Sequence, residues 1–354
     1  MIIGFLLPQD SSSPVGGYKI VYEYANLLSR DGYDVKIIYG LHFSYREKSL
    51  AQKIWCLLRF LKHRNDPFRS KQWFHLLPAV QESRSLTLSE SFVPTCDVYV
   101  ATTVATSFYL AQYKRRTIKK LYLIQGYETW IRDEETVMAS YHLPLKKIVI
   151  SKWLQDKVNG VGEEAKLIFN GFDFSYFTLT KPISERSPYS VCMMYHVSPL
   201  KGSSDGVCAI KMLKEKYPDL LVRMFGSETR PNGLPSYIEY YQRPSKDRHN
   251  MIYNNSSIYI GTSYSEGFGL TIGEAMICGC AVVCTDISGY LEMVKPGISG
   301  LVVPIHSPEK IAATIEILFN DNDLRIMLAE NGNKSIQNFS WKNAIGEFES
   351  LIQE

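Results

Sequence analysis

Residues 257–278 have the pattern of a strand, a glycine-rich turn and a helix, and this order limits the chain to the α/β class of folds. β-branched and aromatic residues alternate from Ser257 to Gly261, as in a strand. From Leu270 to Cys278 the apolar residues recur at helical spacing. A helix that opens after glycines presents unpaired backbone N–H groups and the positive end of its dipole. The turn from Gly267 to Thr271 is therefore predicted to bind a phosphate or diphosphate group.

Two glutamates, Glu266 and Glu274, lie on either side of this turn. At about 1.5 Å per residue, Glu274 is expected roughly 5–6 Å beyond the N–H groups, a distance that suits a ribose. A carboxylate accepts hydrogen bonds and donates none, so it matches the vicinal hydroxyls of a ribonucleotide. Glu266 would then face the group on the second phosphate, for which a sugar is the natural candidate. The alternative is two solvated carboxylates around an ordinary glycine turn, and for an isolated pair at this spacing that alternative is the better one.

A longer pattern makes the segment specific. The sequence EGFGLTIGEAMICGCAVVCTD begins at Glu266, and GISGLVVP follows at 297–304. Together they resemble the donor-binding segment of family-four glycosyltransferases, the large retaining group with the GT-B fold. The resemblance implies two Rossmann-like α/β domains that face each other across a cleft. It also implies transfer of a hexosyl unit from a nucleotide-diphosphate sugar to a saccharide or lipid-linked saccharide, as in polysaccharide biosynthesis, with retention of anomeric configuration. A UDP-hexose such as UDP-glucose is the favoured donor, because Glu274 is predicted to hold a ribose with both hydroxyls.

The loop after the first strand of the second half, residues 196–202, is predicted to neutralise the donor diphosphate. The resembled family has Gly-Arg, a few residues and then Lys-Gly here; Lys201 matches, and His196 stands where the arginine is expected. One permanent charge is thereby replaced by a group with an unperturbed pKa of about 6.5. Lys201 and the helix N-terminus can stabilise a leaving diphosphate without a metal, so no metal and no cofactor are expected. The one Asp-x-Asp sequence, at 321–323, is interpreted as a helix cap.

These arguments give a set of predicted site residues. Glu266, Lys201 and His196 are predicted to act in the reaction. Tyr241 and Arg243, at the end of a strand, are candidates for contact with the base, although core tyrosines are an equally plausible interpretation of that stretch. The predicted donor-binding residues are Gly16, Gly17, His196, Lys201, Gly226, Tyr241, Arg243, Glu266, Gly267, Phe268, Gly269, Leu270, Thr271 and Glu274.

The acceptor is expected to bind the first half of the chain. Gly16 and Gly17 follow the first strand in a predicted turn, and in the resembled family a Gly-Gly here lines the cleft below the donor; a turn that merely needs glycine φ angles is the alternative. The loop Gln125–Trp130 also follows a strand, so it should lie at the ligand-binding edge of the sheet. Many members of the resembled family have a His-Asp pair in this region, whereas this chain has Gln-Gly-Tyr-Glu at residues 125–128. The role of the family's histidine therefore cannot be carried over, and Tyr127 and Glu128 are only candidates for acceptor contact.

The length of 354 residues suits two domains. We expect an acceptor-binding domain over 1–180, a donor-binding domain over 181–338, and a C-terminal helix over 339–354 that, in the GT-B fold, crosses back to the first domain. Residues 178–188 are the predicted linker. No apolar run approaches the roughly 18 residues of a membrane span, and the start MIIGFLLP resembles a first strand, so a cytoplasmic protein is expected. No nucleic-acid partner is expected.

A basic stretch from Arg46 to Lys71 holds eight basic residues and two acidic ones, with Trp, Leu and Phe interleaved. Such a helix and loop can lie on an anionic surface, which predicts a peripheral contact at the inner face of the membrane. The alternative, at even weight, is an ordinary helix that packs its Ile54, Leu57, Leu58 and Leu61 face on the sheet.

Rival functions remain open at this point. A dTDP- or GDP-sugar transferase, such as a rhamnosyl or mannosyl transferase, would need only a different base and sugar pocket. A phosphorylase of the same architecture would need a cofactor lysine and a much longer chain. A non-catalytic nucleotide-binding module would not need Glu266, Glu274 and Lys201 together, and their presence favours an enzyme.

Overall fold

Parallel strands that alternate with helices build the protein, and the chain divides into two units. The computed structural model describes residues 1–42, 48–115 and 118–354. The first unit comprises Met1–Asn170 together with Lys342–Glu354, and the second comprises Gly171–Trp341. The sequence placed this boundary after residue 180, whereas the first unit ends at Asn170.

Residues 178–188, predicted as a linker, are part of the second unit. The backbone N–H of Thr180 donates to the side chain of Asn254. The buried Arg186 guanidinium donates to the carbonyl groups of Ser256, Cys278 and Gly279. Because these hydrogen bonds satisfy a fully buried cation, the segment is fixed to the unit and does not act as a free connection.

The first unit contains, in its described residues, a seven-stranded sheet of order β3-β2-β1-β4-β5-β6-β7, with every neighbouring pair parallel. Its strands are β1 (Ile2–Leu7), β2 (Asp34–Gly40), β3 (Gln81–Ser85), β4 (Val98–Ala101), β5 (Lys119–Ile124), β6 (Lys146–Val149) and β7 (Ala165–Leu167). Its helices are α1 (Gly16–Arg30), α2 (Leu50–His63), α3 (Val104–Ala111), α4 (Glu134–Tyr141), α5 (Lys152–Asn159) and α12 (Trp341–Gln353), the last of which belongs to this unit from Lys342 onward. Helices on both faces explain why the middle strands β1 and β4 are almost continuously apolar and buried.

The helix α12 closes the core of the first unit. The ring of Phe348 lies 6.3 Å from that of Phe5 and 5.0 Å from that of Tyr24, centroid to centroid. The Nζ atom of Lys119 donates to the carbonyl oxygen of Ile352 over 2.6 Å. The last residues of the chain therefore complete a core that the first residues begin.

The second unit contains, within the described part of the chain, a six-stranded parallel sheet of order β10-β9-β8-β11-β12-β13. Its strands are β8 (Ser190–Met194), β9 (Leu221–Gly226), β10 (Ile238–Gln242), β11 (Ile258–Gly261), β12 (Ala281–Thr285) and β13 (Leu301–Val303). Its helices are α6 (Ser203–Lys216), α7 (Lys246–Asn254), α8 (Leu270–Ile277), α9 (Ser288–Leu291), α10 (Pro308–Asn320) and α11 (Asn322–Ile336). Apolar side chains of the central strands pack with those of α6, α10 and α11 in one buried cluster.

The strand order of the second sheet reverses between β8 and β11. From β8 the chain adds β9 and β10 on one side, and it then returns to add β11, β12 and β13 on the other. In open parallel sheets, ligands bind at the carboxyl ends of the strands beside such a reversal, because the loops there diverge. A ligand-binding site in this unit is therefore expected at the loops after β8 and β11.

The start of α1 differs from prediction. Gly16 and Gly17 were expected in a turn, but they form the first turn of α1 and neither has a positive φ angle. A need for left-handed backbone therefore does not explain these glycines.

Among the described helices, none has both the length and the apolar character needed to cross a membrane.

Candidate donor-binding site

The turn before α8 is shaped by a glycine in a left-handed conformation. Gly269 has φ 88° and is the residue that precedes the first turn of α8. A Cβ atom added there would lie 2.6 Å from the ring of Tyr290, so that neither the backbone angle nor the space admits another residue. In the described part of the chain, no side chain caps α8. Its N-terminus, with its positive dipole end, lies at the carboxyl edge of the sheet after β11, where an anion would be stabilised.

Lys201 and Glu266 meet at this edge. The Nζ atom of Lys201, after β8, lies 2.6 Å from the Oε1 atom of Glu266, after β11. The hydroxyl of Ser263 donates to the same oxygen over 2.8 Å. The two charged side chains are 27% and 15% exposed, so they are partly desolvated and still reachable by a ligand. The pair places a cation and a carboxylate side by side at the reversal of strand order.

The loops that carry this pair are locked to each other. The hydroxyl of Thr262 donates to the carbonyl oxygen of Lys201, and the backbone N–H of Tyr264 donates to that of Leu200, each over 2.8 Å. Gly202 has φ 58°, and an added Cβ atom would lie 2.1 Å from the carbonyl oxygen of Thr262. Since only glycine tolerates this approach, the sequence Lys-Gly fixes the lysine relative to β11.

His196 lies after β8, where its surroundings favour the neutral imidazole. Its Nδ1 atom accepts a hydrogen bond from the backbone N–H of Ser198 over 2.9 Å, which leaves the proton on Nε2. Burial, and then the charge of Lys201, lower the pKa of His196 below its ordinary value. At the position where the resembled family carries an arginine, this chain therefore presents a neutral N–H donor.

Glu274 is buried within the second unit, with 4% of its surface exposed. Its Oε2 atom accepts from the hydroxyl of Tyr253 over 3.2 Å, and the same hydroxyl lies 3.4 Å from the carbonyl oxygen of Thr271. Tyr253 in turn packs against the rings of Phe225 and His249. The carboxylate is thus held in a fixed position one turn into α8.

Phe268 is another residue predicted in the α8 segment, and only its backbone groups could contact a ligand. Its ring is buried and lies 6.2 Å from that of Phe172 and 5.8 Å from that of Phe339. Gly267, Leu270 and Thr271 are partly exposed. The aromatic side chain therefore packs beneath the turn, and the accessible surface of the segment is that of Gly267, Leu270 and Thr271.

At the ends of β9 and β10, the structure places Gly226 and Arg243 together. The backbone N–H of Arg243 donates to the carbonyl oxygen of Gly226 over 2.8 Å, and a Cβ atom on Gly226 would lie 2.5 Å from the carbonyl oxygen of Tyr195. Tyr241 does not join them. Its hydroxyl donates to Glu239 and its ring faces the guanidinium of Arg248, whereas the hydroxyl of Tyr240 lies beside Gly226.

The acceptor-side candidates lie in the first unit, at the carboxyl end of β5. The Oε2 atom of Glu128 accepts from the backbone N–H of Val104, the first residue of α3, over 3.1 Å. Burial raises the pKa of Glu128 to about 7, against the opposing effect of that hydrogen bond. The hydroxyl of Tyr127 donates to Glu134 over 2.5 Å, and burial raises its pKa to about 12.

The first glycines of α1 lie near the same loop. A Cβ atom on Gly17 would lie 3.4 Å from the side-chain amide of Gln125, so the side chain of Gln125 packs over this helix start. The Oε1 atom of Gln125 is buried, and no group of the described residues donates a hydrogen bond to it. Gly16 is exposed. The structure therefore brings Gly17 to the loop that follows β5, as the position of both at the carboxyl edge of one sheet requires.

Residues 181–335, which contain the Lys201–Glu266 pair and α8, match the family described as glycosyl transferases group 1. The second unit of the chain therefore carries the segment that defines the group 1 glycosyltransferases. Among curated relatives, the chain is 27% identical over 175 residues to a D-inositol 3-phosphate glycosyltransferase of Salinispora arenicola, which covers 44% of this chain and 39% of that one. It is also 27% identical over 232 residues to an uncharacterized glycosyltransferase of Methanocaldococcus jannaschii, covering 61% of this chain and 58% of that one. The matched region thus spans less than two thirds of the length of these relatives.

Solved structures confirm the predicted GT-B fold. Sucrose-phosphate synthase from Thermosynechococcus elongatus superposes with a TM-score of 0.76 at 15% identity, over 100% of this chain and 98% of that one. HepE of Anabaena in complex with UDP-glucose superposes with a TM-score of 0.74 at 17% identity, over 100% and 99%. The chain therefore shares its fold with both proteins along its whole length.

Several contacts in the site lie outside the sequence-based prediction. Ser263 and Thr262 directly follow β11. Ser263 precedes Glu266 by three residues, so the sequence alone shows that these two side chains are close along the chain. Tyr253 has no such signal, because it reaches Glu274 from another helix.

In the described residues, no group of three or more His, Cys, Asp or Glu side chains is arranged to hold a metal ion. Asp321 caps α11 by accepting from the backbone N–H of Leu324 over 2.9 Å, as expected.

Proposed function

We propose that this protein transfers a hexosyl unit from a UDP-hexose, UDP-glucose being the favoured donor, to a saccharide or lipid-linked saccharide, with retention of anomeric configuration. The observation that carries the proposal is the ion pair of Lys201 and Glu266 beside the uncapped N-terminus of α8. A cation and a helix end suit a diphosphate, and a carboxylate suits the hydroxyls of a sugar. Polysaccharide biosynthesis is the proposed setting.

The diphosphate is proposed to lie over the turn 267–271. An ammonium group has three N–H donors, and Glu266 occupies one in the structure, so Lys201 retains donors for phosphate oxygens. As the bond between the anomeric carbon and the phosphate oxygen breaks, negative charge grows on that oxygen. Lys201, the N–H of His196 and the helix N-terminus would stabilise this charge, since they are already oriented.

Retention follows in this proposal from attack on the face that the diphosphate leaves. The acceptor hydroxyl forms its bond to the anomeric carbon, UDP departs with the bonding electron pair, and the acceptor proton passes to an oxygen of the leaving phosphate. Glu266 would hold the sugar by its hydroxyls during this step. No metal or cofactor is assigned a role, so transfer is expected to persist in the presence of EDTA.

Glu274 is proposed to bind the ribose. A carboxylate accepts hydrogen bonds from hydroxyl groups, as that of Glu274 does from the hydroxyl of Tyr253. The buried tyrosine would orient the carboxylate toward the vicinal hydroxyls of the ribose. HepE, which has this fold, binds UDP-glucose. We extend that donor class to the present chain as part of the proposal.

The deciding experiment measures UDP release and sugar transfer with purified protein. UDP-glucose, other UDP-hexoses, GDP-mannose and dTDP-rhamnose serve as donors, with and without EDTA, and the product is analysed by NMR for its anomeric configuration. We expect turnover with a UDP-hexose and an α-linked product from an α-linked donor. Binding of UDP without hydrolysis or transfer of any donor would instead favour a non-catalytic nucleotide-binding module. A cytoplasmic enzyme with a peripheral membrane contact is also proposed, and the basic and exposed apolar residues of α2 support this part of the proposal.

A further inference from the structure

The helix α2 turns its apolar side to solvent. Of its residues, only Cys56 is buried. Ile54, Leu57, Leu58 and Leu61, the face that would lie on the sheet in an ordinary surface helix, are 41–61% exposed. Leu50 and Trp55 extend this exposed face. The packed-helix alternative from the sequence is therefore wrong for this helix, and a stripe of large aliphatic side chains remains uncovered.

This exposed stripe is part of a well-formed helix. Ser49 and Gln52 form a reciprocal capping box at its N-terminus. Cys56 and the half-buried Phe60 lie on its inner side, and the ring of Trp55 lies 6.3 Å from that of His42. Because the fold holds α2 by its other side, the aliphatic stripe contributes little to the stability of the unit. A surface of this kind marks a binding site more often than a chance exposure.

The charge around the stripe has one sign. Between residues 48 and 65 the chain carries no aspartate or glutamate, and Asp66 is engaged by His63 over 2.9 Å. Arg59, Lys62 and Arg64 are exposed on or just after the helix. Arg46, which the sequence included in the basic stretch, lies outside the described residues. Positive charge beside an aliphatic stripe complements an anionic lipid surface, whereas a second copy would bring like charges together.

We propose that α2 docks the protein on an anionic bilayer, with Leu50, Ile54, Leu57, Leu58 and Leu61 entering the boundary between headgroups and acyl chains. The basic residues then lie at the level of the phosphates. An interfacial helix of this type binds by apolar burial together with charge attraction. High salt should therefore weaken binding without abolishing it, in contrast to a purely electrostatic contact.

The docking helix is tied to the acceptor-side edge of the first unit. Asp10, in the loop after β1, accepts hydrogen bonds from the backbone N–H groups of Arg69 and Ser70, which follow α2. The indole N–H of Trp73 donates to the carbonyl oxygen of Ser11 in the same loop. That loop leads directly into Gly16 and Gly17. A lipid-linked acceptor would thus meet the protein beside the edge where the acceptor is proposed to bind.

Vesicle flotation of the purified full chain tests the docking. Vesicles of phosphatidylcholine alone and with phosphatidylglycerol are compared at low and high salt. The apolar variant carries Ile54→Gln, Leu57→Gln, Leu58→Gln and Leu61→Gln, all exposed sites on a helix that glutamine accommodates. The charge variant carries Lys53→Gln, Arg59→Gln, Lys62→Gln and Arg64→Gln. Ile317→Gln with Met327→Gln, two exposed apolar residues of the second unit, is the matched control.

We expect wild type and control to float with anionic vesicles and the apolar variant to lose at least about tenfold in its bound-to-free ratio. The charge variant should lose the preference for phosphatidylglycerol. The fluorescence of Trp55 should shift to the blue with anionic vesicles, and Trp55→Phe should remove that shift. Equal flotation of the apolar variant and wild type would overturn the proposal. So would a dimer in light scattering that the apolar variant converts to monomer without any vesicle binding, since the face would then join two copies. Donor hydrolysis in solution is measured alongside, and its persistence in the apolar variant separates docking from the proposed transfer activity.

Discussion

The Nζ atom of Lys201 lies 2.6 Å from the Oε1 atom of Glu266, although the two residues come from loops after different strands. The sequence assigned the lysine to the diphosphate and the glutamate to the sugar, as separate contacts. Their pairing means that each fixes the position of the other before a ligand arrives. A preorganised cation loses little on binding, which is the condition for effective stabilisation of a developing charge.

Replacing Lys201 with Gln should weaken UDP binding strongly. A hydrogen bond to a charged group contributes about 1.5–3 kcal/mol, so the Kd should rise roughly 10- to 150-fold. Isothermal titration with UDP measures the change. Lys211→Gln, an exposed lysine on α6, is the matched control and should leave the Kd unchanged. An unchanged Kd in Lys201→Gln would remove the lysine from the diphosphate.

Replacing Glu266 with Gln should separate binding from transfer. The amide keeps the size of the side chain and one acceptor oxygen, but it loses the charge that faces the sugar and pairs with Lys201. UDP affinity should stay within about threefold, while kcat should fall by about 100-fold, as for the loss of one oriented electrostatic contact. Titration with UDP and transfer kinetics are compared on the same preparation. A large loss of UDP affinity at an unchanged kcat would contradict the assignment to the sugar.

Replacing Glu274 with Ala should weaken UDP roughly 10- to 150-fold through the lost ribose contact. The discriminating ligand is 2′-deoxy-UDP, whose affinity for wild type should be lower and should fall less in the variant. Tyr253→Phe keeps the buried ring and removes the hydroxyl that orients the carboxylate, so an intermediate loss is expected. Circular dichroism checks that each variant remains folded, because Glu274 is buried. Equal losses for UDP and its deoxy analogue would place the carboxylate elsewhere than at the ribose.

Sequence patterns predicted the parts of the fold that local periodicity determines. The helix predicted from Leu270 to Cys278 is observed as Leu270–Ile277, and the strand predicted from Ser257 to Gly261 is observed as Ile258–Gly261. The edge strands β3 and β7 were missed. β3 has the sequence QESRS, in which no apolar alternation is present, and β7 has three residues. Edge strands are half-covered or short, so they need no buried apolar row that a sequence would show.

Local periodicity could not predict the contacts between segments that are distant in the sequence. Lys201 meets Glu266 because β8 and β11 are neighbours, and an apolar pattern identifies strands without giving their order. The exposed face of α2 has the same heptad-like spacing as a buried one, so only the packed structure shows which side is covered. Tyr240 and Tyr241 are adjacent in sequence and point to opposite faces of β10; the choice between them depends on which face meets Gly226.

The buried carboxyl of Glu128 should make the stability of the protein depend on pH. Its pKa is raised to about 7 from an ordinary 4.5, so between these values the folded state holds a proton that the unfolded state has lost. Its contribution to stability is therefore fully present below pH 4.5 and is lost as the pH rises toward 7. The loss amounts to at most about 3 kcal/mol, and Glu128→Gln, which can still accept from the N–H of Val104, should remove it. Urea unfolding at pH 5 and pH 8 should thus show the variant gaining stability over wild type mainly at pH 8. Glu135→Gln, an exposed glutamate of α4, is the control and should follow wild type at both values. If Glu128→Gln lowered stability equally at both, the carboxyl would be ionised in the folded protein and its burial would have to be compensated by a cation.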